Sequence, residues 1–431
     1  MPKIRMPNMR IGGALMLAIA TVALAAWPLR AEAALNASDL VELAIEMNPQ
    51  IHTMHAQWQA AQHQILQNYA PADPIFTYSN IDSSKDFNAA THSHAFTENF
   101  QFPGKALFQA DQAKRTATIA RLAYEAALRD VRAAVETGYY QVLLDDALIE
   151  VNAENLENLQ QVVRVTETAY SGGNAAQSDV ITAEVNLAQA QLQQRQYQTN
   201  KLNDETTLNQ LIYRDPGSPL DLDRKIPLER VILPLQRAVD MAYEARQEIL
   251  EAALSEKNQD TAVKLAKFEY VPDYQVGYEF DYFLEPGAQP NGPNSVPITQ
   301  AHTWSIGFNL PVFFWIHQRE DVKSAEYSLE AARSNLRLIR SQTAATVTTI
   351  YRTMQFAYES AQLYRDSLIP LANQDFTVAL TAYEGRKIDF IALSVALQAS
   401  YSNRIGFLQA SNQFLAGQVS LEQAIGAPLR Q

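Results

Sequence analysis

The sequence predicts a mainly helical chain with a small membrane-type β portion, built as two copies of one plan: helix, strand pair, long helix, tip, helix. Three observations predict it. Local sequence recurs at a constant offset, with Thr168-Ala169-Tyr170-Ser171-Gly172 returning as Thr381-Ala382-Tyr383-Glu384-Gly385. The same offset carries Ala183 onto Ala396, and Leu208, Gln210 and Ile212 onto Leu421, Gln423 and Ile425. Phe100-Gln101-Phe102-Pro103 answers Phe308-Asn309-Leu310-Pro311 at a slightly different offset, which implies a small insertion. The second observation is helix length, and the third is a strict two-residue alternation in short segments of each half.

The ends and the composition bound the possibilities. Lys3, Arg5 and Arg10 precede an uncharged, largely apolar run from Ile11 to Trp27, and Ala31-Glu32-Ala33 places small residues where a signal peptidase reads. Residues 1–33 therefore read as an export signal cleaved before Ala34; the other reading is an uncleaved anchor. The chain has 431 residues, no cysteine and a formal charge of −13. Disulfides, thiolate metal sites and acylated cysteines are thereby excluded. No later stretch is long and apolar enough for a helical span, which leaves a soluble exported protein or an outer-membrane β-barrel. The acidic balance and the lack of a basic patch argue against a nucleic-acid partner.

The expected elements follow in order. Leu35 to about Tyr69 reads as a helix capped by Asn36 or Ser38 and kinked at Pro49, with Leu40, Leu43, Ala44, Met47 and Ile51 at helical spacing. Pro71 and Pro74 end it. A strand pair (73–102) comes next, with Ile75–Ile81 and Ala95–Phe102 as its strands and Ser83–Thr91 as a polar loop. Lys105 to about Ser171 holds no proline and one glycine, a helix of about 100 Å at 1.5 Å per residue. Gly172-Gly173 breaks it, and a third helix runs to about Tyr213. The first repeat is thus 34–220, followed by a linker at 221–234 and a second repeat at 235–431. In the second, a helix covers Leu235–Phe268, a strand pair 271–311, a long helix Phe314–Tyr383 with Pro370 as its kink site, and a last helix Lys387–Ile425.

The strands carry the functional signal. Tyr274, Val276, Tyr278, Phe280 and Tyr282 share one face, and Gln275, Gly277, Glu279 and Asp281 the other. Trp304, Ile306, Phe308 and Leu310 alternate in the same way with Thr303, Ser305, Gly307 and Asn309. Such a strand suits a wall between lipid and water, and equally a half-buried soluble sheet. On the lipid–water reading Tyr274, Tyr278, Phe280, Trp304 and Phe308 face lipid, while Glu279 and Asp281 face the lumen. Glu98 shares parity with Phe96 and Phe100, so the first pair needs a bulge there or a position near the membrane edge. Four strands cannot close a barrel and hydrocarbon tolerates no open edge, so several chains must share one barrel; three would give twelve strands.

In this order the chain resembles the outer-membrane efflux family typified by TolC. Local matches are Phe102-Pro103-Gly104-Lys105 leaving the second strand, Tyr139-Tyr140 within the long helix, Tyr170 with Gly172-Gly173 and Ser178-Asp179-Val180 at the first tip, and Tyr383-Glu384-Gly385 at the second. The resemblance implies a homotrimeric twelve-stranded barrel continuing into a long periplasmic α-helical barrel. It implies a passive outer-membrane duct whose tips (Gly172, Gly173, Gly385, Arg386, Lys387) meet a periplasmic adaptor, with an inner-membrane pump of RND type beyond. Phe-Pro-Gly-Lys is most similar to the heavy-metal branch typified by CzcC and CusC, which implies cation cargo; a duct for drugs or type I polypeptide export is the alternative, and a periplasmic coiled-coil adaptor or scaffold a further one. The family's aperture carboxylates map onto Asp179, while the second half holds Ile391 or Ala392 there and offers Asp389 and Glu384 instead.

Catalysis and cofactors find no support. No nucleotide loop or nucleophile elbow occurs, and Asp145-Asp146 read as a solvated helix face. His52, His55 and His63 with Met54 on the first helix, and His92 and His94 near an outer loop, lack the convergent ligands of a metal site.

Overall fold

The computed structural model describes residues 35–80, 90–224, 232–283 and 299–429. The expected export signal at 1–33, most of the two expected polar strand loops and the middle of the expected 221–234 linker lie outside the described residues.

The first half runs α1 (Ala37–Met47), α2 (Pro49–Gln67), β1 (Ile75–Asn80), β2 (Ala90–Phe100), α3 (Pro103–Ser171) and α4 (Gln177–Leu211). The second runs α5 (Leu235–Ala245), α6 (Gln247–Phe268), β3 (Tyr274–Phe283), β4 (Thr299–Phe308), α7 (His317–Leu363), a π-turn (Tyr364–Leu368), α8 (Ile369–Glu384) and α9 (Phe390–Ile425). No described helix is long and apolar enough to cross a membrane.

The kink expected at Pro49 is a complete break. Asn48 leaves the helical region, and its side chain accepts from the Gln50 amide at 2.8 Å, so α1 stops and α2 is capped by one residue. The equivalent break at Arg246 has no proline to announce it. Its cause is tertiary: α9 ends in a left-handed Gly426 (φ +80°) packed so closely that a Cβ there would lie 2.9 Å from Arg246 Cα, and Arg246 Nη1 donates to the Ala424 carbonyl at 3.2 Å. At Pro370 the chain answers with the π-turn. Proline cannot donate to the carbonyl four residues back, that of Asp366, and the wider turn makes room for its ring. A Cβ on Gly406 of α9 would come within 2.5 Å of the Tyr364 ring, so the bulge is seated over a residue with no side chain.

The repeat is a repeat of core positions. Leu208 of α4 and its cap Ile212 close a core with Leu40, Ala44, Val135 and Val142, while Leu421 and Ile425 of α9 close its counterpart with Ala238, Ala242, Val347 and Met354. Ala183 and Ala396 meet in a third core near the tips. Small side chains let these helices approach closely, and each long helix lies beside two shorter ones.

The halves are joined along α3 and α6 by polar contacts. Lys105, Gln112, Arg115 and Arg129 of α3 reach Glu269 and Asp273, the Asn258 carbonyl, Thr261 Oγ1 (2.8 Å) and Glu248 (2.8 Å) in turn. Burial would raise the Glu248 carboxyl, but hydrogen bonds and charge from Arg129 hold it down at about 2.

Candidate channel wall and helix tips

The four strands form one antiparallel sheet in the order β1-β2-β3-β4, leaving β1 and β4 as edges. The registers align the alternation across all four. Phe76, Phe96, Tyr278 and Trp304 form one cross-strand row, with Tyr78, His94, Phe280 and His302 the row above it. Phe100, Tyr274 and Phe308 form the row at the helical end. Rings pack along them at a tilt, Phe76 against Phe96 at 4.9 Å and Tyr278 against Trp304 at 4.7 Å. The opposite face reads Thr77, Ala95, Glu279 and Thr303, then Ser79, Ser93, Asp281 and Ala301. One face is mainly aromatic and the other mainly polar, with Glu98 the one acid on the aromatic face among the described strand residues.

Glu98 needs no bulge. The register is unbroken from His92 to Phe100, and Glu98 sits opposite Val276 near the helical end of the sheet; the irregularity lies at Ala90/His92 instead. Strand β2 begins five residues earlier than Ala95, because His92 and His94 extend the outward rows. Both are held by aromatic neighbours, Tyr78 Oη lying 3.3 Å from His92 Nδ1, as Tyr278 Oη lies 2.6 Å from His302 Nδ1. No group of three or more metal-ligating side chains occurs among the described residues.

Phe102-Pro103-Gly104-Lys105 is the joint between sheet and rod. Pro103 starts α3, where its missing N–H costs nothing. A Cβ on Gly104 would meet the Phe268 ring at 2.8 Å. Lys105 is buried, with Nζ 3.1 Å from Glu269 and 3.0 Å from Asp273, and Asp273 also accepts from the Phe102 amide at 2.9 Å.

The two tips share one geometry. Gly173 and Asn174 donate to the Tyr170 and Ala169 carbonyls (both 2.8 Å), and Arg386 and Lys387 donate to those of Tyr383 (3.0 Å) and Ala382 (2.8 Å). These paired bonds make a Schellman turn, which demands a left-handed residue after the helix cap. Gly173 supplies it at φ +71° and Arg386 at φ +59°. Arg386→Gly is therefore expected to stabilise its tip by about 0.5–1 kcal/mol, and Gly173→Ala to destabilise the other by about 1 kcal/mol. Amide hydrogen exchange across the two turns reads both changes.

The candidate aperture acids all lie at these helix ends. Asp179 is the third residue of α4 and accepts from the Ala176 amide at 3.3 Å. Asp389 is the cap of α9 and accepts from the Ala392 amide at 2.8 Å. One capping requirement is thus met from opposite ends, which is why the acid shifts by three residues between halves. Glu384 closes α8 and is exposed. Asp179 also borders an open groove of about 630 Å³ between α4 and α9, lined by Asn152, Ser178, Gln189, Phe390 and Tyr401.

Two polar clusters inside the rod carry no sequence signal. Asn152, fully buried, donates to the Ala190 carbonyl at 3.0 Å and to Gln194 Oε1 at 2.7 Å, and accepts from Tyr401 Oη at 3.1 Å, tying α3, α4 and α9 together. Asp145 is not solvated as its sequence neighbourhood suggests: it is 2% exposed. Burial, a hydrogen bond to Asp204 and the charges of Asp204 and Asp146 push its carboxyl up to about 7 against the pull of Lys201. Lys201 itself pairs with Asp146 at 2.6 Å and Glu205 at 3.5 Å.

Known proteins share this architecture. The fold matches the outer-membrane channel OprN (TM-score 0.75, 15% identity, 92% of this chain and 91% of that one). VceC from Vibrio cholerae matches with TM-score 0.75 at 16% identity, over 91% of this chain and 97% of that one. CusC matches with TM-score 0.75 at 14% identity, over 91% of this chain and 92% of that one. No curated protein sequence matches. The sequence model of the outer membrane efflux protein family covers residues 40–212 and 238–427, both copies of the plan. The chain belongs to the outer membrane efflux protein family.

Proposed function

We propose that the chain works as a homotrimer, the passive exit duct of a tripartite efflux system, and that its cargo is heavy-metal cations. The supporting observation is the sheet: aromatic on one face, polar on the other, with both edges open. Lipid cannot satisfy the N–H and C=O groups of those edges, whereas β1 of one chain against β4 of the next, three times over, gives a closed twelve-stranded wall. Tyr274, Tyr278, Phe280, Trp304 and Phe308 then face lipid, and Glu279 and Asp281 face a water-filled lumen. Cysteines placed at 279 and 281 in the purified trimer are expected to react with a membrane-impermeant thiol reagent, and those at 278 and 280 to resist it. The reverse pattern, or a particle of one chain in mild detergent, sinks the reading.

The turns at Gly172-Gly173 and at Gly385-Arg386-Lys387 are the docking points for a periplasmic adaptor, which links the duct to an inner-membrane pump of RND type. Cation cargo rests on the Phe102–Lys105 likeness to the heavy-metal branch and on the acids of the lumen face. OprN, VceC and CusC match the fold equally well, so a duct for drugs or polypeptides is the second reading.

Asp179, in three copies about one axis, forms an anionic ring at the narrow end, with Asp389 and Glu384 beside it. Asp179→Ala is expected to lower cation selectivity and divalent block in planar bilayers with the trimer intact. Loss of helix stability alone, by about 1 kcal/mol with conductance unchanged, would make it a cap and nothing more.

A further inference from the structure

The second copy of the plan departs from the first just after its strand pair. In the first half Pro103 opens α3 directly after the strand, whereas Pro311 is followed by Val312-Phe313-Phe314-Trp315-Ile316 before α7 begins at His317. The repeat offset grows by four residues between the Pro103/Pro311 pair and the Tyr139/Tyr351 pair, whose hydroxyls both donate to carbonyls of the segment joining the halves, and by one more across the π-turn. The joint between β4 and α7 is therefore longer by four residues, and the segment Val312–Ile316 that fills it contains no polar side chain. Its side chains point outward: Val312 is 64% exposed, Phe313 61%, Trp315 52% and Ile316 59%. Consecutive turns satisfy the backbone locally, with Phe314 donating to the Pro311 carbonyl (3.2 Å) and Ile316 and His317 to that of Phe313 (3.0 Å each).

A water-facing turn gains nothing from five adjacent apolar residues, and an exposed patch of this kind marks a contact. We propose that Val312–Ile316 is a lipid-interface anchor, seated at the headgroup boundary of the periplasmic leaflet and holding the barrel at fixed depth. The occupant follows from continuity and from depth. Trp304, Ile306 and Phe308 on the outward face of β4, and Leu310 just beyond its end, lead into the patch and are all more than half exposed. Strand β4 has 10 residues, and at ~3.3 Å per residue and a tilt of ~40° it rises about 25 Å, the height of an outer-membrane apolar band. The chain therefore leaves the hydrocarbon just where this segment starts. Phenylalanine and tryptophan are the side chains that favour this boundary, where an apolar ring meets hydrated headgroups. The sequence offers no cysteine on which a thioether-linked lipid could be carried.

The inference rests on the lipid-facing assignment of β4 proposed above, and Trp304 serves as the internal control. Two single-tryptophan proteins are needed, with Trp27 and Trp58 replaced by phenylalanine and either Trp304→Phe or Trp315→Phe added. Each trimer is reconstituted into phosphatidylethanolamine–phosphatidylglycerol vesicles containing a phospholipid brominated either near the headgroup or in mid-chain. Trp315 is expected to lose emission roughly twofold with the shallow bromine and much less with the deep one, as an interfacial ring should. If Trp304 is quenched but Trp315 answers only to aqueous iodide, the segment faces the periplasm and the anchor is refuted. If Trp304 is quenched and Trp315 responds to neither bromine nor iodide, a neighbouring chain covers it, which refutes the anchor equally. Failure of bromine to quench Trp304 would instead overturn the orientation of the sheet.

Discussion

Lys105→Met is expected to loosen the barrel from the rod and to cost about 2–3 kcal/mol of stability. Removing one partner of a buried ion pair costs about 3–5 kcal/mol, because the charge left behind loses its compensation. The cost here is lower because Glu269 and Asp273 keep 43% and 32% of their side-chain surface in solvent, where water screens them. Asp273 would still accept from the Phe102 amide, so the strand end stays tethered while its link to α3 is lost. Far-UV circular dichroism melts of the detergent-solubilised protein read the drop. Adding Asp273→Asn should recover part of it, since the second change removes the stranded charge. A melting curve unchanged by Lys105→Met would mean the pair has no structural weight.

Asp145→Asn is expected to act in the opposite direction, and to depend on pH. The Asp145 carboxyl sits at about 7 in the folded protein against 3.8 for the free side chain. The folded rod therefore holds more protons than the unfolded chain between those values, and its stability falls as pH rises through that window. Above about pH 7 the loss is complete, because two ionised carboxylates then face each other across α3 and α4. Lys201 moderates the effect without removing it, being held by Asp146 and Glu205 on the same two helices. Asparagine keeps a hydrogen bond to Asp204 and removes the titration. The variant should gain about 1–2 kcal/mol at pH 8 over the parent and melt at nearly the same temperature from pH 5 to pH 8. A variant whose pH slope matches the parent's would place the titrating group elsewhere.

The architecture was legible because the signals that carry it are periodic and local. Leu208 and Leu421 match because both plug equivalent cores, so the duplication could be read before any contact was known. Strand parity in β3 and β4 likewise fixes which residues share a face, and the registers extend that parity to β1 and β2. Of the tip glycines only Gly173 uses its backbone freedom, since Arg386 takes the equivalent left-handed place in the second tip. What escaped has causes distant in sequence. The break at Arg246 is imposed by the end of α9, and Asp145 meets Asp204 only after α3 and α4 have folded back. Lys105 stood inside a recognisable motif, yet its partners belong to the other half of the chain. For the proposed aperture, the resemblance points to Asp179, Asp389 and Glu384, and the fold gives the first two capping bonds that periodicity alone does not reveal.

The π-turn at Tyr364–Leu368 behaves like an edge dislocation in a crystal. One extra residue in an unbroken α-helix would rotate everything beyond it by about 100° and turn the seam away from its partner. Here the surplus is confined to a single wide turn, and the buried line resumes: Met354, Ala357 and Ala361 before it, Ala372, Ala379 and Tyr383 after it. The mismatch is absorbed where the Tyr364 ring covers Gly406, and the lattice on either side is undisturbed. Length and aim are thereby uncoupled in this rod. The two copies differ in how they begin and in how their long helices are wound, yet both deliver the same turn, with the same handedness, at the far end.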